Sequence, residues 1–339
     1  NVPAADASQA TASDNCAAPN VAVSDSSNGG AGSSASPLVI TRTYTATDAA
    51  GNTASDSQTI TVIDSTAPTI ALNGANPQIV ECHTSYTELG ATASDNCAGS
   101  FAATPSGSVD VDVPGTYTIT YNATDAAGNA ATPVTRTVTV VDTTAPLISC
   151  PANIVVTLPL NSTDTSMAVS FSAPTATDSC DASVPVVIDK ASGSIFPVGT
   201  TVVTATATDD ANNSASCSFS VTVLYNFTGF FQPVANLPTL NIVNAGRAVP
   251  VKFSLSGNKG LNIFADGSPF TIGINCDGSA PQSDVEETTN AGGSSLSYSS
   301  SSDQYNYVWK TESSWAGTCR QLVVKLNDGS EHRANFKFR

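Results

Sequence analysis

Residues 117–141 read YTITYNATDAAGNAATPVTRTVTVV. The first part has period two: Tyr117, Ile119, Tyr121 and Ala123 share one face, and Thr118, Thr120 and Asn122 share the other. Successive side chains of an extended chain point to opposite sides, so such a stretch makes a strand with one face on a core. The alternation returns over Thr135–Val141, where Arg136, Val138 and Val140 oppose Thr135, Thr137 and Thr139. Between the two lies DAAGN, whose Gly128 takes a positive φ without a Cβ clash, as a bulged hairpin connection requires. The stretch reads as a β-hairpin.

The hairpin recurs along the chain. TATDAAGN at 45–52 returns as NATDAAGN at 122–129, TVIDSTAP at 61–68 as TVVDTTAP at 139–146, and ASDNC at 12–16 as ASDNC at 93–97. A weaker third copy has TATDSC at 175–180 and TATDDANN at 206–213. The period is about 80 residues, and internal repetition is read before any single element. Alternating strands with regular turns in a unit of that size predict two-sheet sandwiches. The TAP tripeptides at Thr66–Pro68 and Thr144–Pro146 interrupt pairing and mark junctions.

Composition narrows the function classes. The 339 residues carry 12 Lys+Arg against 28 Asp+Glu, a net charge of −16. A nucleic-acid binder needs a cationic stripe to displace counterions, so none is expected. No apolar run approaches the ~18 residues of a membrane span. The chain does not begin with Met and shows no signal peptide, and is expected to be a mature form or a piece of something longer. Charged residues make up only 12% while Thr and Val abound, which favours strands. Eight Cys against one Met and two His point to an oxidising, extracellular compartment. His83 and His332 both read as surface residues, the Glu286–Glu287 pair reads as solvated charge, and no GxSxG, HExxH or P-loop occurs. The expectation is a protein that is not an enzyme.

At this point a resemblance becomes specific. The ATDAAGN and DxTAP signatures of the first two units resemble bacterial immunoglobulin-like surface repeats. The third unit resembles a hyalin repeat (HYR) through ISCPANI at 148–154, SGSIFPVGTTVVTATATD at 192–209 and SCSFSVTV at 216–223. From Tyr225 the chain resembles the module called PxKF, after Pro250, Lys252 and Phe253, with GFFQPV at 229–234 and WAGTCRQLVVKL at 315–326. The resemblance implies an all-β chain of tandem immunoglobulin-like β-sandwich domains, beads on a string. Its expected domains are 1–65, 66–143, 144–224 and 225–339. It also implies an extracellular or cell-surface, modular, non-catalytic architecture.

Charge is segregated: residues 1–224 hold 19 acidic and 3 basic side chains, and residues 225–339 hold 9 of each. Self-repulsion of an acidic stalk is one account. Calcium is the other. Asp95 and Asp178 sit in the ASDNC and ATDSC loops, Asp48, Asp125 and Asp209 at strand–turn boundaries, and Asp64 and Asp142 at the interior junctions. Clustered carboxylates with turn carbonyls supply the six to eight oxygens calcium takes. Turn capping by Asp through its own backbone competes with that reading.

Among the cysteines, spacing and the module resemblance imply Cys150–Cys217 between the opening and closing strands of the third unit. They imply Cys276–Cys319 in the last domain, and Cys82–Cys97 closing a short loop in the second, which leaves Cys16 and Cys180. The first unit has no counterpart of Ile70–Glu81, the expected opening strand of the second. Truncation of a longer array explains this, and so does a strand donated by another subunit. Leu224–Phe231 and Asn335–Arg339 are the donor candidates, and both are needed at home. In the last domain Tyr305, Tyr307 and Trp309 alternate on one strand face. They form either a core face or a platform for sugar rings. The expected function is a structural segment of a surface appendage, adhesin stalk or filament, whose partners are copies of itself or neighbouring repeats. The alternative is a glycan-binding accessory region of a secreted hydrolase.

Overall fold

Both DAAGN segments are hairpin turns in the computed structural model, which describes residues 2–33, 36–277, 281–287, 289–290 and 296–339. The Asp48 N–H donates to Asn52 O (3.0 Å) and the Asp125 N–H to Asn129 O (3.1 Å). Gly51 and Gly128 take φ of 88° and 93°, a region closed to most L side chains. The chain is all-β, built of tandem sandwich-type sheets, and divides into two compact units, Asn1–Thr143 and Thr144–Arg339.

The first unit begins with β1 (Asn20–Ser27), β2 (Leu38–Thr47) and β3 (Thr53–Val62), an antiparallel meander in the order β1-β2-β3. Arg42 on β2 is buried at 3% exposure. Its guanidinium meets Asp25 through two 2.8 Å contacts and donates to Pro3 O (2.6 Å), which ties the leading residues to this sheet. The same unit continues with β4 (Thr69–Leu72), β5 (Gln78–Glu81), β6 (Ala91–Asp95) and β7 (Gly99–Ala102). It ends with β8 (Thr104–Ser106), β9 (Gly115–Asn122) and β10 (Val134–Val141).

These strands make two sheets, β5-β10-β9-β8 and β4-β6-β7. The expected single opening strand over Ile70–Glu81 is two strands, β4 and β5, one in each sheet. Gly74, at φ 79°, and Pro77, which has no N–H to give a ladder, break the run and let the chain cross over. β5 then pairs parallel with β10, Gln78 opposite Val138. The alternation of the hairpin holds: Ile119, Tyr121, Ala123 and Val138 are buried in one cluster with Val80, Ala91 and Ala93, and Tyr117 packs at its edge. Arg136 shares that inner face. Burial of its charge is offset by a 3.1 Å ion pair to Glu88 and by donation to the carbonyls of Asn73 (2.6 Å), Ala75 (2.5 Å) and Gly90 (2.9 Å).

In the second unit, β11 (Leu147–Ser149), β12 (Ile154–Thr157), β13 (Ser166–Ala168) and β14 (Thr175–Thr177) are followed by β15 (Val186–Ile188) and β16 (Ile195–Pro197). β17 (Gly199–Thr208) and β18 (Ser214–Leu224) close the third repeat. The main sheet runs β12-β18-β17-β15, with β11-β14 and β13-β16 as smaller pairs.

Beyond it come β19 (Phe230–Phe231), β20 (Leu240–Val243), β21 (Ala248–Phe253), β22 (Phe270–Ile274), β23 (Pro281–Glu287) and β24 (Thr289–Asn290). β25 (Leu296–Ser299), β26 (Gln304–Lys310), β27 (Cys319–Lys325) and β28 (Glu331–Phe338) complete the chain. They form the sheets β19-β21-β26-β24, with β25 also on β26, and β20-β28-β27-β22-β23.

One core runs through this unit, from Phe196, Val203, Phe219, Val221 and Val223 through Tyr225 to Phe253, Trp309 and Phe336. β18 feeds directly into Tyr225, whose N–H donates to Asp328 Oδ2 (2.6 Å). Lys259, nearly buried, donates from Nζ to the carbonyls of Ser162 and of Asp164 (3.0 Å), clamping the two halves. Packing is therefore continuous across residue 224. Both donor-strand candidates are held at home, with β19 on β21 and β28 between β20 and β27.

Candidate functional site

The D-x-x-x-N turn occurs three times and is wired in two ways. Asp48 Oδ1 accepts from the N–H groups of Ala50 and Asn52 (2.8 Å each), and its Oδ2 accepts from Asn52 Nδ2 (2.7 Å). Asp125 repeats this: Oδ1 accepts from Asn129 N–H and Oδ2 from Asn129 Nδ2, both at 2.8 Å. The side-chain bond from Asn52 holds the Asp48 carboxyl below the usual range. At Asp125 burial acts against ionisation, but the bonds from Asn129 outweigh it and the pKa is again lowered. Asp209 differs. Its Oδ1 accepts from Asn213 N–H (2.7 Å), while its Oδ2 is buried with no hydrogen-bond partner, in a residue only 5% exposed.

The remaining expected calcium ligands lie on loops. Asp64 follows β3 and caps Thr66 N–H (3.1 Å). Asp95 ends β6, its Oδ1 accepting from Cys97 N–H (2.8 Å) and Ala98 N–H (2.9 Å). Atoms of Asp64, Asp95 and Cys97 lie within 4.8 Å of one another. Asp142 follows β10. Asp178 Oδ1 accepts from Cys180 N–H (2.7 Å) and Asp181 N–H (3.3 Å). Calcium takes oxygen ligands, and the carboxylates of Asp48 and Asp125 are occupied by their own turns.

Asp181 was absent from the expected set, yet one of its carboxylate oxygens lies within 4.8 Å of one from Asp209. The signal was present in the repeat comparison: Asp181 and Asp210 stand where the second repeat has Ala98 and Ala126.

The structure contains the bridges Cys150–Cys217 and Cys276–Cys319, with Cα–Cα distances of 5.9 and 5.2 Å. Cys82–Cys97 is not formed, because Cys97 is a free, exposed thiol. Cys82 is itself disulfide-bonded and so is not available to Cys97. Cys16 is likewise free and exposed, and Cys180 is not among the free thiols.

The aromatic stripe is interior. Tyr305, Tyr307 and Trp309 are 0%, 1% and 0% exposed, and Trp309 packs edge-on against Phe336 (4.9 Å) and Phe338 (5.9 Å). These three residues therefore present no face to a sugar ring.

His83 is at the surface, 2.7 Å from Asp112. His332 is not: it stacks on Phe227 at 3.5 Å, and burial lowers its pKa to about 4. Its Nε2 lies 3.0 Å from Ser330 Oγ, which in turn donates to Asp328 Oδ1 (2.6 Å). The carboxylate thus bonds the serine rather than the imidazole, the reverse of the order in which an aspartate orients a catalytic histidine. The side chains of Glu286 and Glu287 lie outside the described residues.

Residues 141–223 match the HYR domain. Residues 70–140 match the family described as bacterial surface protein, Ig-like domain. The HYR segment covers the third repeat with its Cys150–Cys217 bridge and the Asp178–Asp181 and Asp209–Asn213 turns.

Among curated relatives, hyalin of Strongylocentrotus purpuratus is 33% identical over 258 residues, spanning 68% of this chain and 21% of its own. Hyalin of Lytechinus variegatus is 32% identical over 232 residues, spanning 66% of this chain and 42% of its own. The chain thus spans less than half of either relative. Among solved structures, similarity extends to a Ca2+-stabilized adhesin with which an Antarctic bacterium binds ice (17% identity, 97% of this chain and 92% of that one, TM-score 0.23). It also extends to extracellular cadherin domains 1–4 of protocadherin gamma B7 (10% identity, 88% and 82%, TM-score 0.25). The surface Ig-like and HYR families indicate an extracellular or cell-surface protein of adhesion type. Among the described residues no helix is long and apolar enough to cross a membrane.

Proposed function

We propose that this chain is a non-catalytic, load-bearing segment of an extracellular appendage, adhesin stalk or filament. The observation that carries this reading is the unbroken succession of two surface-module matches, from residue 70 to residue 223. Side chains that bind ligands in other folds are used here for packing: Tyr305, Tyr307 and Trp309 in the core, and Asp48 and Asp125 in their own turns. Residues 225–339 are assigned to a PxKF module on Pro250, Lys252 and Phe253, and the divisions near 65, 143 and 224 complete this reading. Its partners are copies of itself or neighbouring repeats.

Stretching single molecules tethered by both ends tests the proposal. Discrete rupture events, shifted by reductant, are the expected result. Smooth extension at low force would remove the load-bearing role. Specific retention on a glycan array would favour the accessory binding region instead.

Assembly by strand donation is a second reading, favoured by the meander β1-β2-β3, whose outer strands pair with no further strand among the described residues. A cavity of about 450 Å³ lies along it, lined by Val21, Tyr44, Ala46 and Ala54. An extended apolar segment adding to an edge would use backbone hydrogen bonds for affinity. Sedimentation over a wide concentration range decides it: growth into denaturant-resistant oligomers supports donation, and a monomer throughout ends it.

A further inference from the structure

The third repeat departs from the first two at one turn. In D48AAGN52 and D125AAGN129 the asparagine amide closes on Oδ2 of the aspartate. In D209DANN213 that oxygen is buried without a hydrogen bond. A buried, unpaired carboxylate oxygen is costly, because nothing replaces the water it lost. The neighbouring loop adds to that cost: one carboxylate oxygen of Asp181 lies within 4.8 Å of one from Asp209, and like charges at that range repel. Two further carboxylates lie on the same loops. Asp178 caps the 178–181 turn, and Asp210 donates its N–H to Asp181 Oδ2 (2.8 Å), fixing that side chain in place. The second repeat has alanine at the positions of Asp181 and Asp210, so its Asp125 turn meets no second carboxylate from these two positions.

We propose that Asp181 and Asp209 are ligands of a calcium ion bound on the third repeat, with Asp178 and Asp210 supplying the surrounding negative charge. A divalent cation there would satisfy the orphaned oxygen of Asp209 and turn the repulsion between the two carboxylates into shared attraction. The donors are hard carboxylate oxygens, the ligand type calcium takes. No imidazole lies on either loop, which disfavours zinc. The site goes beyond the load-bearing reading and does not depend on it.

Calorimetric titration of the full chain with calcium chloride, after removal of divalent ions by chelator, tests the site. The wild type is expected to bind calcium in the range of about 10⁻⁴–10⁻³ M or tighter, as extracellular modules do. Asp181→Asn is expected to weaken one site about tenfold or more, since affinity follows the number of charged ligands. Asp209→Asn should do the same. Because that variant also alters a turn cap, Asp181→Asn is the deciding one. Asp125→Asn, whose carboxylate is closed by Asn129, should leave the calcium isotherm unchanged. A wild type that binds no calcium at about 10 mM, or an Asp181→Asn chain that keeps the full stoichiometry and affinity, overturns the proposal. Either result would leave the pulling experiment, and the reading it tests, untouched.

Discussion

Arg136 Nε lies 3.1 Å from Oε1 of Glu88, the arginine fully buried and the glutamate side chain 24% exposed. The two Glu88 oxygens also accept the hydroxyls of Tyr86 and Tyr121, and Oε1 accepts the Gly90 N–H (3.0 Å). The arrangement anchors the β4–β6 side of the second repeat to β10 through one interior charge. Glu88→Ala leaves that guanidinium without its counter-charge. It should lower the unfolding free energy of the first unit by about 3 kcal/mol, read from a urea midpoint. A drop below ~0.5 kcal/mol would mean that the carbonyls alone suffice.

The same carboxyl sets an acid limit. Burial works against its ionisation, but the bonds from Tyr121, Tyr86 and Gly90 and the charge of Arg136 outweigh it and hold the pKa below 4.5. A group depressed on folding contributes stability above its unfolded pKa and loses it as pH falls through the folded one. The wild type should therefore lose stability in the first unit as pH falls below about 4.5, and Glu88→Gln should flatten that limb.

His332 makes the second unit sensitive at higher pH. Desolvation lowers its pKa from 6.5 to about 4, with Asp328 opposing only in part. The unfolded chain binds the proton more readily, so stability present above pH 6.5 is lost progressively as pH falls towards about 4. His332→Phe keeps a ring against Phe227 and removes the titration. Its melting temperature should vary less than that of the wild type across this window, and parallel pH profiles would exclude His332 as the cause.

Cys150–Cys217 closes a loop with a sequence separation of 67 residues. Cross-linking at that separation restricts the unfolded chain by about 4 kcal/mol. Replacing both cysteines by alanine should cost stability of that order in calorimetry under non-reducing conditions. A change confined to ~1 kcal/mol would show that the unfolded state is already compact.

Trp309 fills the centre of the β21–β26 face against Trp315, Phe336 and Phe338. Trp309→Ala should destabilise the second unit by about 3–5 kcal/mol, whereas an accessible sugar platform would tolerate it with little change in melting.

The β-hairpins were readable because period-two alternation and a glycine at a positive-φ turn are local properties. Ile119, Tyr121, Val138 and Arg136 face inward as that alternation requires. The split of Ile70–Glu81 into β4 and β5 was signalled by Gly74 and Pro77, but it takes the parallel β5–β10 pairing to give the break its meaning. Cys97 shows the limit of spacing arguments: only fifteen residues separate it from Cys82, yet Cys82 is bonded elsewhere and Cys97 is a free thiol. Asp181 shows another limit. Its position is visible in the repeat comparison, but its importance rests on an oxygen of Asp209 that only the folded turn leaves unpaired.

The unbroken interior from Phe196 through Tyr225 to Phe338 bears on how such proteins are recombined. The second repeat encloses a cluster of its own between Val80 and Val138. The third repeat does not. A transplanted segment ending at Leu224 would leave Phe219, Val221 and Val223 without the side chains that follow Tyr225. A segment taken from this half of the chain keeps its interior whole only if it includes all of Thr144–Arg339.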